Sequence, residues 1–161
     1  GPLYYYMMAP ALLLSNFSPV GPAIGVALLS LATIVLIWWV GRVWFNGKAG
    51  LIAAFLYAIS PTVIIYSRSS WNPNIMPFFA LLAIYSAWKV LKTDNHKWRA
   101  LIGVSFAACL QSHYLGLLLG PTLALILVFS FFATSKKKSF LVWSLVSLFL
   151  LVAQKVTQLY L

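Results

Sequence analysis

The stretch VALLSLATIVLIWWVGRV fills positions 26–43 and carries one charged residue, Arg42, close to its end. A helix that crosses a bilayer needs about 20 predominantly apolar residues. This run supplies that length, follows the Pro/Gly-rich Ser18-Pro19-Val20-Gly21-Pro22, and closes with Trp44 beside it. Five more apolar runs come after it, at 49–66, 75–88, 100–110, 115–133 and 140–153. Asn46-Gly47-Lys48 makes a tight turn before the second, and the fourth spans only by continuing through Gln111 towards Tyr114. Segment 3–14 is too short to cross. Tyr4, Tyr5 and Tyr6 at its start and Pro10 inside it suit an interfacial helix or a half-span. The pattern predicts an all-α, polytopic transmembrane helix bundle of about six spans plus an N-terminal interfacial helix, forming one transmembrane domain over 1–161.

Composition agrees. Of 161 residues 63% are hydrophobic and 7% charged, whereas a soluble domain carries about 25% charge. So few polar groups could not cover a water-facing surface, and a mean hydropathy of +0.96 suits hydrocarbon instead. The net charge of +10 raises nucleic acid as a partner. The basic residues lie in short clusters between apolar runs, which is the pattern of topology signals, so nucleic acid is excluded. Cys109 is the sole cysteine and sits in an apolar run, where a packing role is expected and no disulfide framework is possible. The chain opens without an initiator Met or a signal-peptide pattern and ends as abruptly at Leu161. A piece of a longer protein is the expectation.

Charge also suggests sidedness. If the runs alternate, nine basic residues fall on one side: Arg42, Lys48, Lys89, Lys92, Lys97, Arg99, Lys136, Lys137 and Lys138. Arg68 falls on the other, and Lys155 lies near the chain end. The positive-inside rule then places the nine in the cytoplasm, with loops 16–22, 67–74 and 111–113 facing outward across a membrane expected to be a bacterial plasma membrane.

Candidate chemistry gathers on the outward side. Ser67-Arg68-Ser69-Ser70-Trp71-Asn72-Pro73-Asn74 is dense in hydrogen-bonding groups. Pro73 biases Asn72 away from helix, and Asn74 is placed to cap the helix that follows. Arg68 can pair with phosphate oxygens through its guanidinium fork, or it can simply snorkel at a helix end. Gln111-Ser112-His113-Tyr114 forms a second polar cluster. Polar residues at membrane depth are expensive and often functional, and His113 can bind a phosphate, take a proton, or rest as a satisfied interfacial side chain. His96, in a polar loop, is expected to be solvated. Gly116 and Gly120 form a G-x-x-x-G pattern that allows close helix packing. One carboxylate exists in the chain, Asp94, and it is on the cytoplasmic side. No catalytic residue is therefore assigned within these residues, and no metal site, since a lone His without an acidic neighbour does not make one.

The order of these segments resembles the C-type membrane glycosyltransferases, among them protein O-mannosyltransferases and aminoarabinose transferases. Gly1-Pro2-Leu3-Tyr4-Tyr5 is similar to that family's Pro-Pro-Leu-x-Tyr segment. Ser60-Pro61, Tyr66-Ser67-Arg68 and Asn72-Pro73-Asn74 look like its "SP…YSR" stretch, and residues 110–121 look like its "LTKYxGLLxLP" stretch. The resemblance implies inverting transfer of a sugar from a polyprenyl-phosphate donor to a glycan, lipid or protein acceptor on the outer face. It implies a substrate-binding set of Tyr4, Arg68, Asn72, Asn74, Gln111 and His113. His113 stands where many members have Lys, and Asn72 and Asn74 where members often have Asp or Glu, which points to neutral hydrogen bonding there. The family's acidic residue lies in an external loop upstream of Pro2. A cofactor is not implied by these residues, though a divalent metal held by carboxylates elsewhere in the protein is compatible with the resemblance. The rival readings are a transporter or channel subunit, disfavoured by the absence of an internal repeat, and a non-catalytic membrane scaffold contacting lipid alone.

Overall fold

The computed structural model describes residues 2–159. Gly1 of the N-terminal motif, the side chain of Lys155 and the two C-terminal residues lie outside the described part. The chain is 86% helical, with no strand among the described residues. The α-helices are α1 (Leu3–Leu14), α2 (Val20–Trp44), α3 (Gly47–Ile59), α4 (Pro61–Tyr66), α5 (Met76–Thr93), α6 (Trp98–Ser112), α7 (Leu119–Ala133) and α8 (Lys137–Leu159). Short 3-10 turns at Asn72–Ile75 and Tyr114–Leu118 precede α5 and α7. The chain folds as two compact units that divide within α5, Pro2–Leu81 and the residues from Leu82 onward.

Which side chains face out identifies the solvent. On α2 the exposed residues Ile24, Leu28, Leu31, Val35 and Trp39 form one stripe, while Thr33 is buried. On α7, Leu125, Val128, Phe129 and Phe132 are exposed and Ser130 is buried. A water-soluble helix has the opposite arrangement. Among the described residues three stretches have the length and hydropathy to cross a membrane: Val20–Trp44, Asn72–Thr93 and Tyr114–Ala133. This is an all-α helical bundle of membrane type.

Within the first unit, α1 lies against α2, and Tyr4 and Met8 pack with Val26 and Ile75 in one apolar core. The connection between α1 and α2 turns through Asn16 (φ 54) and Phe17 (φ 62), both in the left-handed region. The α2–α3 pair depends on two glycines. A Cβ on Gly41 would lie 2.7 Å from the Gly50 Cα, and one on Gly50 would lie 2.7 Å from the Arg42 nitrogen. The predicted turn at 46–48 is shorter than expected. Asn46 Oδ1 accepts from the Ala49 N–H at 2.9 Å, so Asn46 caps α3 and Gly47 and Lys48 already belong to the helix. The run 49–66 breaks at Ser60, which is extended (φ −62, ψ 123). Pro61 follows it, and proline has no N–H and disfavours helix in the preceding residue.

In the second unit, Ala87, Val90, Ile102 and Leu123 make the core. Cys109 is fully buried, as a packing residue should be. The two glycines of the G-x-x-x-G pattern behave differently. Gly116 sits in the 3-10 turn, where a Cβ would come within 2.8 Å of the Cys109 backbone, whereas one on Gly120 would meet only the Phe106 ring at an ordinary 3.6 Å. The close approach folds the turn back onto α6. It is not a crossing of two long helices.

Candidate functional site

Loop 67–74 starts where α4 ends. Ser67 Oγ donates to the Ile64 carbonyl at 3.1 Å and Ser69 Oγ to the Tyr66 carbonyl at 3.2 Å, which tightens the turn around Arg68. Asn74 does not cap the next helix. Its Nδ2 donates to Tyr66 O at 2.7 Å, Ser69 O at 2.8 Å and Ser69 Oγ at 3.0 Å. Those acceptors come from residues on both sides of Arg68, so a single carboxamide ties the loop across its base. The turn that follows begins at Trp71 with no side-chain cap. Arg68 itself is exposed. Its guanidinium makes no hydrogen bond or ion pair with the described residues. Tyr4 is buried and its hydroxyl lies 2.6 Å from Ser70 Oγ, which joins α1 to the same loop.

Two cavities flank this loop, and Trp71 lines both. One, of about 300 Å³, includes Tyr57, Thr62, Tyr66, Ser67 and Asn74. The other, of about 610 Å³, is lined by Tyr4, Tyr5, Met8 and Leu12 of α1 and by Ser70 and Asn72 of the loop. Four of the six sequence-predicted residues lie in the first unit: Tyr4 and Asn72 line the larger cavity, Asn74 the smaller, and Arg68 sits on the loop outside both linings.

Gln111 and His113 belong to the second unit, at the end of α6. Gln111 is buried. His113 ends α6, and its Nδ1 accepts from the Leu115 N–H at 3.2 Å, capping the 3-10 turn. The ring lies 4.2 Å from that of Tyr114. Nε2 is left as the ring atom that can meet a ligand.

A polar cluster in the second unit was not foreseen. His96, expected to be solvated, is 2% exposed, and Arg99, counted among the loop charges, is 0% exposed. Arg99 Nη2 donates to Ser130 Oγ at 2.8 Å, Nη1 to Ser144 Oγ at 3.1 Å and Nε to His96 Nδ1 at 3.3 Å. Its guanidinium carbon stands 3.7 Å from the Phe140 ring centre. Because His96 Nδ1 accepts, Nε2 carries the proton in the neutral ring. Nε2 lies 3.1 Å from Thr134 Oγ1 and 3.2 Å from Asp94 Oδ1. Thr134 Oγ1 donates to Asp94 Oδ1 at 2.7 Å, and Lys136 Nζ pairs with Asp94 Oδ2 at 3.6 Å. One imidazole thereby connects a buried cation to a half-exposed carboxylate. The sequence does contain a signal: Asp94, His96 and Arg99 within six residues, with Ser130, Thr134 and Ser144 on later helices.

This cluster makes the second unit sensitive to acid. His96 is held below its ordinary value of 6.5 by burial first and by the Arg99 charge second, against an opposing pull from Asp94. Asp94 is held below 3.8, chiefly by the Thr134 hydroxyl. Below pH 6.5 the unfolded chain binds a proton at His96 that the folded chain refuses, so stability falls as pH falls. The Asp94 contribution is present above 3.8 and is lost only on further acidification. Thermal unfolding of the detergent-solubilised protein should therefore start earlier at pH 5.5 than at pH 7.5, a window set by His titration. His96→Gln should flatten that difference, and an unchanged slope in the variant would place the titration elsewhere.

Among the described residues no three His, Cys, Asp or Glu side chains come together as a metal would require. What the fold and loop define is a helical integral membrane protein presenting, on a cross-tied polar loop, a guanidinium that is unpaired among the described residues. The chain belongs to the family described as dolichyl-phosphate-mannose-protein mannosyltransferase, whose model matches residues 1–157. Membership makes it a membrane glycosyltransferase of mannosyltransferase-like type, working with a lipid-linked sugar donor and an acceptor. No curated protein and no solved structure matches the chain.

Proposed function

We propose that this protein transfers a sugar from a polyprenyl-phosphate donor to an acceptor at the outer face of a bacterial plasma membrane, with the lipid phosphate bound by Arg68. The observation that carries this reading is the exposed guanidinium, unpaired among the described residues, on a loop braced by Asn74. A planar fork with two parallel N–H groups suits a phosphate monoanion, and it is worth most where water is scarce. The groove beside α1, with Met8, Leu12 and Pro22 along it and Ser70 and Asn72 at one end, has the character of a path for the prenyl chain. For Gln111 and His113 the substrate-binding role rests on the family resemblance alone.

In the reaction the acceptor oxygen attacks the anomeric carbon from the face opposite the phosphate. The C1–O bond breaks, its electron pair passes to the phosphate oxygen, and the configuration inverts. Arg68 stabilises the charge that grows on that oxygen. The acceptor proton goes to a carboxylate outside these residues, since Asp94 is engaged with His96, Thr134 and Lys136. Loop 67–74 faces outward in this reading, opposite the lysine-rich connections.

The test is direct. The intact protein, incubated with dolichyl-phosphate-mannose labelled in both sugar and lipid, should release dolichyl phosphate in step with mannose appearing on an acceptor. Release of free lipid phosphate without any transferred sugar, or no turnover with any acceptor class, would refute the assignment.

A further inference from the structure

Another cavity lies in the second unit. It is an open groove of about 500 Å³ lined by Asn95, Lys97, Trp98, Ala100, Leu101 and Val104. We propose that it binds an anionic phospholipid, with the phosphodiester headgroup at Lys97 and an acyl chain along Ala100, Leu101 and Val104. This goes beyond sugar transfer and does not depend on it.

The groove follows one face of a helix. Positions 97, 100, 101 and 104 are spaced three and four apart, so they fall in one row along α6. From Lys97 to Val104 the row is about 10 Å long, at the helical rise of about 1.5 Å per residue. Over that length it changes from charged to wholly apolar. A phospholipid has the same gradient, with acceptor oxygens in the headgroup and hydrocarbon below. The free polar groups at the charged end are donors. Lys97 is exposed, and its ammonium meets no partner among the described residues. Asn95 Oδ1 accepts from the Lys97 N–H at 3.2 Å, which leaves the Nδ2 protons to donate. The Trp98 indole N–H has no acceptor among the described residues, and an indole can only donate. Three donors suit a headgroup whose acceptors are spread over a phosphate and two ester carbonyls. A polyprenyl phosphate offers the phosphate alone.

Charge selects an anion over a zwitterion. Lys89 Nζ stands 5.5 Å from the Trp88 ring centre, 5.7 Å from that of Tyr85 and 5.8 Å from that of Trp98. A cation is thus held against the same indole that lines the groove. Aromatic faces of this kind attract the ammonium of a choline or ethanolamine headgroup, and here the protein's own Lys89 occupies them. No carboxylate lines the groove. The one acidic residue of the chain, Asp94, is engaged by His96, Thr134 and Lys136. A headgroup ammonium would find no counter-charge, whereas a headgroup without a cation needs none.

Association of spin-labelled lipids with the intact protein, reconstituted in phosphatidylcholine nanodiscs, reads the site. Labelled phosphatidylglycerol should be immobilised in preference to labelled phosphatidylcholine. Lys97→Gln should lower that preference by about fivefold, the effect of one basic side chain on an anionic lipid, and Lys97→Arg should retain it. Lys138→Gln removes an equal charge that does not line the groove, and it should leave most of the preference. Leu101→Trp fills the apolar part without altering charge and should lower the preference as well. Lys97 is exposed, so its variants carry the test if Leu101→Trp does not fold. Excess inorganic phosphate should not displace the lipid. No preference in the wild type, or equal losses from Lys97→Gln and Lys138→Gln, overturns the proposal in favour of diffuse attraction to the lysine-rich connections. A folded Leu101→Trp variant with full preference, or displacement by inorganic phosphate, overturns it in favour of a bare anion contact. Displacement by an equal concentration of dolichyl phosphate overturns it in favour of a polyprenyl carrier.

Discussion

Arg68→Ala should lower sugar transfer by at least about a hundredfold, the scale seen when one preorganised donor to a developing oxyanion is removed. The reason is the leaving group. Breaking the bond to the anomeric carbon puts a second negative charge on the lipid phosphate at the membrane edge, where few waters are available to solvate it. Arg68 is exposed, and its guanidinium has no partner among the described residues, so nothing in this part of the fold needs it. Membrane insertion, read from the amount of protein in the membrane fraction, should therefore be unchanged. Arg68→Lys keeps the charge but loses the two-pronged geometry, and it should recover part of the rate. Full activity in Arg68→Ala would leave the guanidinium as a snorkelling side chain.

Arg99→Met should have the largest effect on stability. The guanidinium is fully buried and holds together three elements: His96 of the α5–α6 connection, Ser130 of α7 and Ser144 of α8. Removing it leaves two hydroxyls and one ring nitrogen without their partner, and the Asp94 carboxylate without the buried cation at the far end of its chain. Each buried polar group left without a partner costs about 1–3 kcal/mol, and with partial rearrangement of the two hydroxyls the three together cost about 3–5 kcal/mol. For a domain of this size that corresponds to a fall of roughly 6–20 °C in unfolding temperature. The sign is opposite to a simple hydrophobicity argument, in which exchanging a charge for Met inside a membrane protein would stabilise it. A melting curve for the variant in detergent decides between them, and an unchanged or raised midpoint would show that the cluster contributes no net stability. Arg99→Lys should fall between the two, since an ammonium cannot reach three acceptors in the same plane.

Much of the candidate site could be located from residue order. The density of Ser, Asn and Trp around Arg68 between two apolar runs marked loop 67–74, and Tyr4 came in through its motif. The way these residues act was less accessible. Asn74 looked like a helix cap because it precedes an apolar run. In the fold, the carbonyls of Tyr66 and Ser69 have already turned back towards its amide, so the side chain closes the loop instead. His96 and Arg99 depart from the sequence expectation for a related reason. Counting charges in a connection treats each as solvated, and only the helices that arrive later in the chain determine whether it is. Ser130, Thr134, Phe140 and Ser144 lie more than thirty residues away from them in sequence.

Composition and periodicity by themselves determined that this chain is helical and suited to hydrocarbon, where its apolar runs lie, and which loop carries an isolated cation. These are consequences of transfer free energy, which is local and adds along the chain. Tertiary structure alone decided that Arg99 and His96 are buried, that Asn74 braces the turn around Arg68, and that Trp71 lines two cavities. Each of these depends on hydrogen bonds or walls supplied by distant segments, and a polar group's energy is set by the partner it finds and not by its neighbours in sequence.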